Sequence, residues 1–213
     1  MKVILIGNGC SAAEYKLGQK IDTEFDLVIR MNRFVTKGFE EFVGTKTDVW
    51  AVTDNYYVHH IVNKNKEQTI EGISNINLIP NILIWTPDFK GNYLSKYNSI
   101  YDEKITHLNS NYNIEQHIRS KINLEERWPT LGLTIIYYCL LNKWDTNIYG
   151  FDNKSKKYKY LHYYDIGNPK WLTSNYYSNF TDNKGKRKDH DDNLEANHIK
   201  ELIKNNELKV FKP

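Results

Sequence analysis

The sequence predicts an α/β fold: a single Rossmann-like domain whose mostly parallel sheet carries helices on both faces. Three observations lead there. Short β-branched runs such as residues 3–6 read as strands buried on both faces, as parallel strands are. These runs alternate with stretches of helical length, the pattern of βαβ units. The first strand ends directly in Gly7-Asn8-Gly9, turn chemistry at a strand's carboxyl end, where open α/β sheets bind ligands.

Taken in order, residues 3–6 are the first strand, and Ser11 is a candidate cap for a helix over 12–19. Residues 26–30 and 46–52 supply the next two strands. Residues 78–85 are a fourth, with an irregular entry because Pro80 cannot donate to a ladder. The polar, tyrosine-rich stretch 87–105 has no period and reads as a loop or lid. Residues 113–122 read as a helix. The run 131–141, apolar on every side and preceded by Thr130, predicts a buried helix. Residues 146–149 form a short strand, and 153–183 again lack a period. A helix over 194–205 and a strand over 208–211 complete the chain. No repeat, linker or change of composition divides it, so residues 1–213 read as one domain.

At 213 residues the chain can bury a substantial core. A net charge of +3 is too small to make nucleic acid the main partner, because polyanion binding shows as a concentrated basic face. The one dense basic stretch, Lys184-Gly185-Lys186-Arg187-Lys188, is either a hydrated loop or a contact for a donor phosphate or an acidic membrane surface. Most of the sixteen tyrosines read as filler, yet tyrosine faces can stack on sugars while their hydroxyls bind phosphates. Cys10 and Cys139 form neither a disulfide framework nor a zinc site. The amino-terminal apolar run is too short for a signal peptide or a membrane span. The expectation is a cytoplasmic protein without an integral membrane segment, with the inner membrane face as a candidate peripheral location.

A Gly-x-Gly turn after a strand permits close backbone approach to a ligand, and helix amino-terminal amides favour phosphate. Ala12 stands where a dinucleotide fingerprint needs its third glycine, and no acidic residue closes a ribose site about 20 residues on. A mononucleotide is therefore favoured. Asn8 either only forms the turn or reaches one ligand together with Asn32, since amides donate and accept as a ribose, cytosine edge or phosphate requires. His162 and His190, both in polar surroundings, can accept a proton or stabilise a departing phosphate near neutrality. Glu195 either closes a capping box with Asp192, the expected cap, or orients His190. His59, His60, His107, His117 and His198 read as structural or surface residues. No Asp-x-Asp follows a strand, and histidine and tyrosine donors can meet a monophosphate leaving group, so no metal is expected.

In order and spacing these islands resemble the L, S, III and VS motifs of the animal-type sialyltransferase family. Gly7-Asn8-Gly9, Ile21-Asp22, Val28-Ile29-Arg30-Met31-Asn32, Gly38-Phe39-Glu40 and Val43-Gly44-Thr45-Lys46-Thr47 look like the L motif. Pro129-Thr130-Leu131-Gly132 through Tyr149-Gly150-Phe151 looks like the S motif, with Thr-Leu-Gly where the family usually shows Ser-Thr-Gly. His162-Tyr163-Tyr164-Asp165 matches motif III in residue type, and His190-x4-Glu195 has the VS form.

The resemblance implies the GT-A-variant fold and an inverting, metal-independent transferase that moves sialic acid from CMP-sialic acid to a glycan hydroxyl. It implies nucleotide-binding roles for Gly7, Asn8, Gly9, Asn32, Thr130, Leu131, Gly132 and Tyr163. His190 becomes the catalytic base, His162 the group at the departing phosphate, and Glu195 a catalytic partner. No cofactor is implied, because the CMP-sugar donor is a co-substrate. The acceptor class is a lipid-linked or cell-surface oligosaccharide, met by aromatics around 93–101 and 171–177. The animal enzymes join the L and S motifs by a disulfide that would fall near Lys2 and Lys143. Neither is cysteine, which fits a reducing compartment and a short bacterial or viral relative. Two alternatives stand beside this reading: a transferase for CMP-Kdo or another CMP-linked acidic sugar, and a non-catalytic nucleotide-binding module.

Overall fold

The computed structural model describes residues 1–32, 34–53, 81–85, 105–108, 113–152, 162–165 and 190–213. Their elements are β1 (Lys2–Ile6), a 3-10 helix (Cys10–Ala13), α1 (Gly18–Glu24), β2 (Leu27–Met31), α2 (Glu40–Val43), β3 (Val49–Thr53), β4 (Asn81–Trp85) and β5 (Ile105–His107). There follow α3 (Ile114–Lys121), α4 (Leu131–Leu141), β6 (Asp145–Tyr149), a second 3-10 turn (Tyr163–Asp165), α5 (Asp192–Lys204) and β7 (Lys209–Val210).

The strands pair in parallel in the order β5-β4-β3-β2-β1-β6-β7. The chain winds outward from β1 to β5 and then returns to β1's other side, so the winding reverses between β1 and β6. That reversal opens the crevice in which such sheets hold ligands. The alternation of side chains along each strand divides the core in two. Val3, Leu5, Ile29, Met31, Val49 and Ala51 pack under α3, α4 and α5. Ile4, Ile6, Val28 and Tyr149 pack under the first 3-10 helix, α1, α2 and Tyr163. The helices thus cover both faces, as the sequence predicts. No helix among the described residues is long and apolar enough to cross a membrane.

α4 occupies the range its pattern predicts. Thr130 Oγ1 accepts from the Leu133 amide at 3.3 Å, satisfying one of the first-turn donors. The expected helix over 12–19 is instead two pieces. Gly9 precedes the 3-10 helix, and α1 starts afresh at Gly18. The cause is remote: Asp152 Oδ2 accepts from the Ser11 amide at 2.9 Å and Oδ1 bonds the Ser11 hydroxyl, so Ser11 cannot cap. β5 begins at Ile105, the last residue of the stretch read as a loop, and three residues are too few to show a period. The remainder of 87–105, most of 153–183, the basic stretch 184–188, and His59 and His60 lie outside the described residues.

Arg30 organises the segment joining α2 to β3. It is fully buried, and its Nη2 donates to the carbonyls of Val43 at 2.8 Å and Lys46 at 3.0 Å, while Nε donates to Thr47 Oγ1 at 2.9 Å. Burial lowers its guanidinium to about 10, against the opposing influence of Tyr163, Asp22 and Asp48. At the sheet's centre, a Cβ on Gly7 would lie 2.4 Å from the Gly150 carbonyl oxygen. Gly7→Ala is therefore expected to cost about 1–3 kcal/mol, measured by urea unfolding, because the two strand ends must part.

Candidate functional site

The turn after β1 is tied to the end of β6. Gly7 N–H donates to the Tyr149 carbonyl at 2.8 Å and Gly9 N–H to the Gly150 carbonyl at 2.9 Å. A Cβ on Gly9 would meet the Asp152 carboxyl at 2.5 Å. Both glycine amides are thus engaged by the chain itself, and the close approach they permit is to residues 150–152. This departs from the expectation of a glycine cradle open to phosphate. The approach of a strand 140 residues away leaves no local sign.

The amides of Asn8 and Asn32 stand at the carboxyl ends of neighbouring strands. Asn8 Nδ2 donates to the Met31 carbonyl at 3.1 Å, joining the end of β1 to that of β2. Asn32 is exposed and left-handed at φ +48°, a conformation asparagine tolerates better than most residues. Its carbonyl accepts from Trp50 Nε1 at 2.7 Å and its Oδ1 from the Thr53 amide at 3.3 Å. Asn32→Gly keeps this backbone and removes only the side-chain amide. If Asn32 holds a nucleotide as the resemblance implies, about tenfold weaker CMP binding by calorimetry is the expected outcome for the loss of one hydrogen bond.

The second 3-10 turn sits over Asn8. Tyr163 N–H donates to the Asn8 carbonyl at 3.0 Å. The Tyr163 ring is fully buried edge-on to Phe39, and its hydroxyl donates to the Val35 carbonyl at 2.5 Å. Burial raises its phenol pKa, with the Arg30 charge acting the other way. The Tyr163 ring is thus packed inside, and its amide ties the turn that carries His162 to Asn8. His162 is partly exposed and stacks on Tyr164, with ring centroids 5.0 Å apart and planes within 9°.

Residues 127–130 run along the head of α5 and hold it at three points. Arg127 pairs with Asp191. The Trp128 carbonyl meets His190 Nδ1 at 2.8 Å. Glu195, 3% exposed, accepts from the Thr130 amide through Oε1 at 2.8 Å and from the Thr130 hydroxyl through Oε2 at 2.5 Å. The cap of α5 is Asp191, whose Oδ1 accepts from the Leu194 amide at 3.0 Å, and the expected cap Asp192 is the first helical residue. Glu195 accordingly closes no capping box: both its oxygens are engaged by Thr130, four residues beyond the cap, where they anchor the start of α4. The Thr130 hydroxyl is turned to Glu195 and the Leu131 side chain to the core. The main chain at Leu131 and Gly132 belongs to a helix's first turn, where amides lack intrahelical partners. Gly132 faces the Phe151 ring, which a Cβ would approach to 3.1 Å.

These contacts form two groups: Asn8, Asn32 and, through Tyr163, His162 at the ends of β1 and β2, and Thr130, Glu195 and His190 at the heads of α4 and α5, with Gly132 set against Phe151 at the end of β6. Asp152, Arg127 and Trp128 belong here too and were not anticipated. Asp152 directly follows the Tyr149-Gly150-Phe151 strand end, a position that could have drawn attention. His117 and His198 lie elsewhere, on either side of Tyr137 in the helical layer, with His198 Nε2 2.5 Å from the Tyr137 hydroxyl. Cys10 and Cys139 are buried free thiols. Among the described residues no group of three or more His, Cys, Asp or Glu is placed to hold a metal ion.

Comparison with known proteins gives these groups a context. The profile of glycosyltransferase family 29 (sialyltransferase) matches residues 2–207. A chicken CMP-N-acetylneuraminate-beta-galactosamide-alpha-2,3-sialyltransferase 1 is 26% identical over 164 residues, covering 76% of this chain and 46% of its own length. A rat CMP-N-acetylneuraminate-beta-1,4-galactoside alpha-2,3-sialyltransferase is 48% identical over 46 residues, 22% of this chain and 12% of the rat protein. The chain thus spans less than half the length of these relatives. A solved mammalian sialyltransferase shares the fold with TM-score 0.59 at 21% identity, over 99% of this chain and 68% of its own. The same holds for a mammalian sialyltransferase in complex with Gal-beta-1-3GalNAc-ortho-nitrophenol, with TM-score 0.58 at 20% identity, over 99% and 69% of the two chains. The chain belongs to glycosyltransferase family 29, the sialyltransferases.

Proposed function

We propose that the protein transfers sialic acid from CMP-sialic acid to a glycan hydroxyl with inversion, His190 acting as base. The observation that carries this reading is the 2.8 Å contact between His190 Nδ1 and the Trp128 carbonyl. A carbonyl only accepts, so Nδ1 carries the hydrogen and the neutral ring keeps its lone pair on Nε2. That nitrogen takes the proton of the acceptor hydroxyl as its oxygen attacks the anomeric carbon. The bond from that carbon to the phosphate oxygen breaks, and CMP leaves with the electron pair.

The negative charge on the departing phosphate is met by His162, tied to Asn8 through the Tyr163 amide. Asn8 and Asn32 take the nucleotide, with the main chain of Leu131 and Gly132 completing its seat. Glu195 and Thr130 act as positioning residues. The leaving group is a monophosphate that a histidine can stabilise, so the scheme calls for no metal. The printed names of the chicken and rat relatives support CMP-sialic acid as the donor class.

The test is a donor screen with CMP-sialic acid, CMP-Kdo and buffer alone, against soluble and lipid-linked galactosides, with products read by mass spectrometry and NMR. Sialylated product of inverted anomeric configuration, undiminished by EDTA, is expected. Product from CMP-Kdo only would reassign the donor, and CMP binding without transfer to any acceptor or water would make the protein a binding module.

A further inference from the structure

We propose that Arg119, on α3, is a positioning residue for His190. The inference rests on the reading of His190 as the base and adds to it a residue outside all four motifs. Three donors of one guanidinium are engaged in separate directions. Nε pairs with Glu115 Oε1 at 2.8 Å, Nη1 donates to the Glu125 carbonyl at 2.9 Å, and Nη2 donates to the Arg127 carbonyl at 2.8 Å. The same group lies over the Trp128 ring, 5.4 Å from its centroid.

The Arg127 carbonyl belongs to the peptide that precedes Trp128, and the next carbonyl along the chain is the one that meets His190 Nδ1. Arg119 therefore fixes Trp128 from two sides, through the peptide before it and through its ring. With both held, the Trp128 residue is steadied where its carbonyl meets the imidazole. That direction sets which nitrogen of His190 carries the hydrogen.

Glu115 supports the same conclusion. It is only 8% exposed, and its Oε2 is buried without a hydrogen-bond partner. A buried carboxylate is costly unless paired, and Arg119 is the cation that pairs it. A surface arginine serving only solubility would have no such partner. The planar fork also explains why arginine stands here: a lysine is a single point of charge and cannot span two carbonyls and a carboxylate at once.

Arg119→Lys tests this. The variant is expected to melt near the wild-type temperature and to bind CMP within about twofold. Its kcat should drop about tenfold, because a small misdirection of the base removes orientation without removing the base. The independent readout is nitrogen-15 NMR of the His190 imidazole, which should change from an Nδ1–H form to a mixture of tautomers. A folded Arg119→Lys protein with wild-type kcat and wild-type His190 nitrogen shifts overturns the proposal. If Arg119→Lys does not fold, Glu115→Gln takes its place, since it keeps the arginine and removes its ion partner. The same changes, smaller in size, are then expected, and an unfolded or unaltered Glu115→Gln protein overturns the proposal as well. Failure of the base reading is seen separately, as transfer that survives His190→Asn, whereas the nitrogen shifts report on Arg119 whatever the role of His190.

Discussion

His190→Asn is expected to lower kcat by about 10²–10⁴, the usual range for a lost general base, with CMP affinity and melting temperature near wild type. Asparagine suits the test because its side-chain amide can replace Nδ1–H as the donor to the Trp128 carbonyl. The anchor of this segment is then kept and only the proton acceptor is removed. Full transfer by a folded His190→Asn protein would return His190 to a structural role and leave the site without a base.

Glu195→Ala is expected to cost about 3 kcal/mol of stability, measured by thermal or urea unfolding. The loss leaves the half-buried Thr130 amide and hydroxyl without this acceptor, and hydrogen bonds to a charged group contribute about 1.5–3 kcal/mol each. The start of α4 should loosen with it, so CMP affinity falls in parallel. Glu195→Gln separates positioning from chemistry. A glutamine can still accept from the Thr130 amide and face its hydroxyl, so a positioning role predicts a folded protein that keeps most of its transfer. An inactive but fully stable Glu195→Gln protein would restore Glu195 to the catalytic group.

Much of this architecture is legible because burial leaves a periodic trace. The β-branched runs marked the strands, and Thr130 with eleven following residues marked α4 to the residue. Asn8 and Asn32 were legible as strand-end amides, since their position follows from strand order alone. What was not legible shares a cause. Ser11 looks like a helix cap until a carboxylate 141 residues away takes its amide and hydroxyl. The closeness of Gly7 and Gly9 to the end of β6 leaves no trace in the sequence either. The full burial of Tyr163 could not be read from its motif, because it depends on Phe39 and Val35, far away in the chain. Trp128 acts through its carbonyl, a group every residue possesses, so no side-chain pattern could have singled it out.

The reversal of winding between β1 and β6 also bears on how the chain reaches this state. β1 can pair with β2 early, but its other edge must wait for β6, made late in synthesis, where Lys2 pairs with Asp145. Contacts of such long sequence separation close slowly, because the intervening chain loses its freedom before any gain is realised. The strands from β1 to β5 can assemble first. The turn at Gly7 and Gly9 is then among the last parts to set, because the carbonyls that take its amides belong to Tyr149 and Gly150.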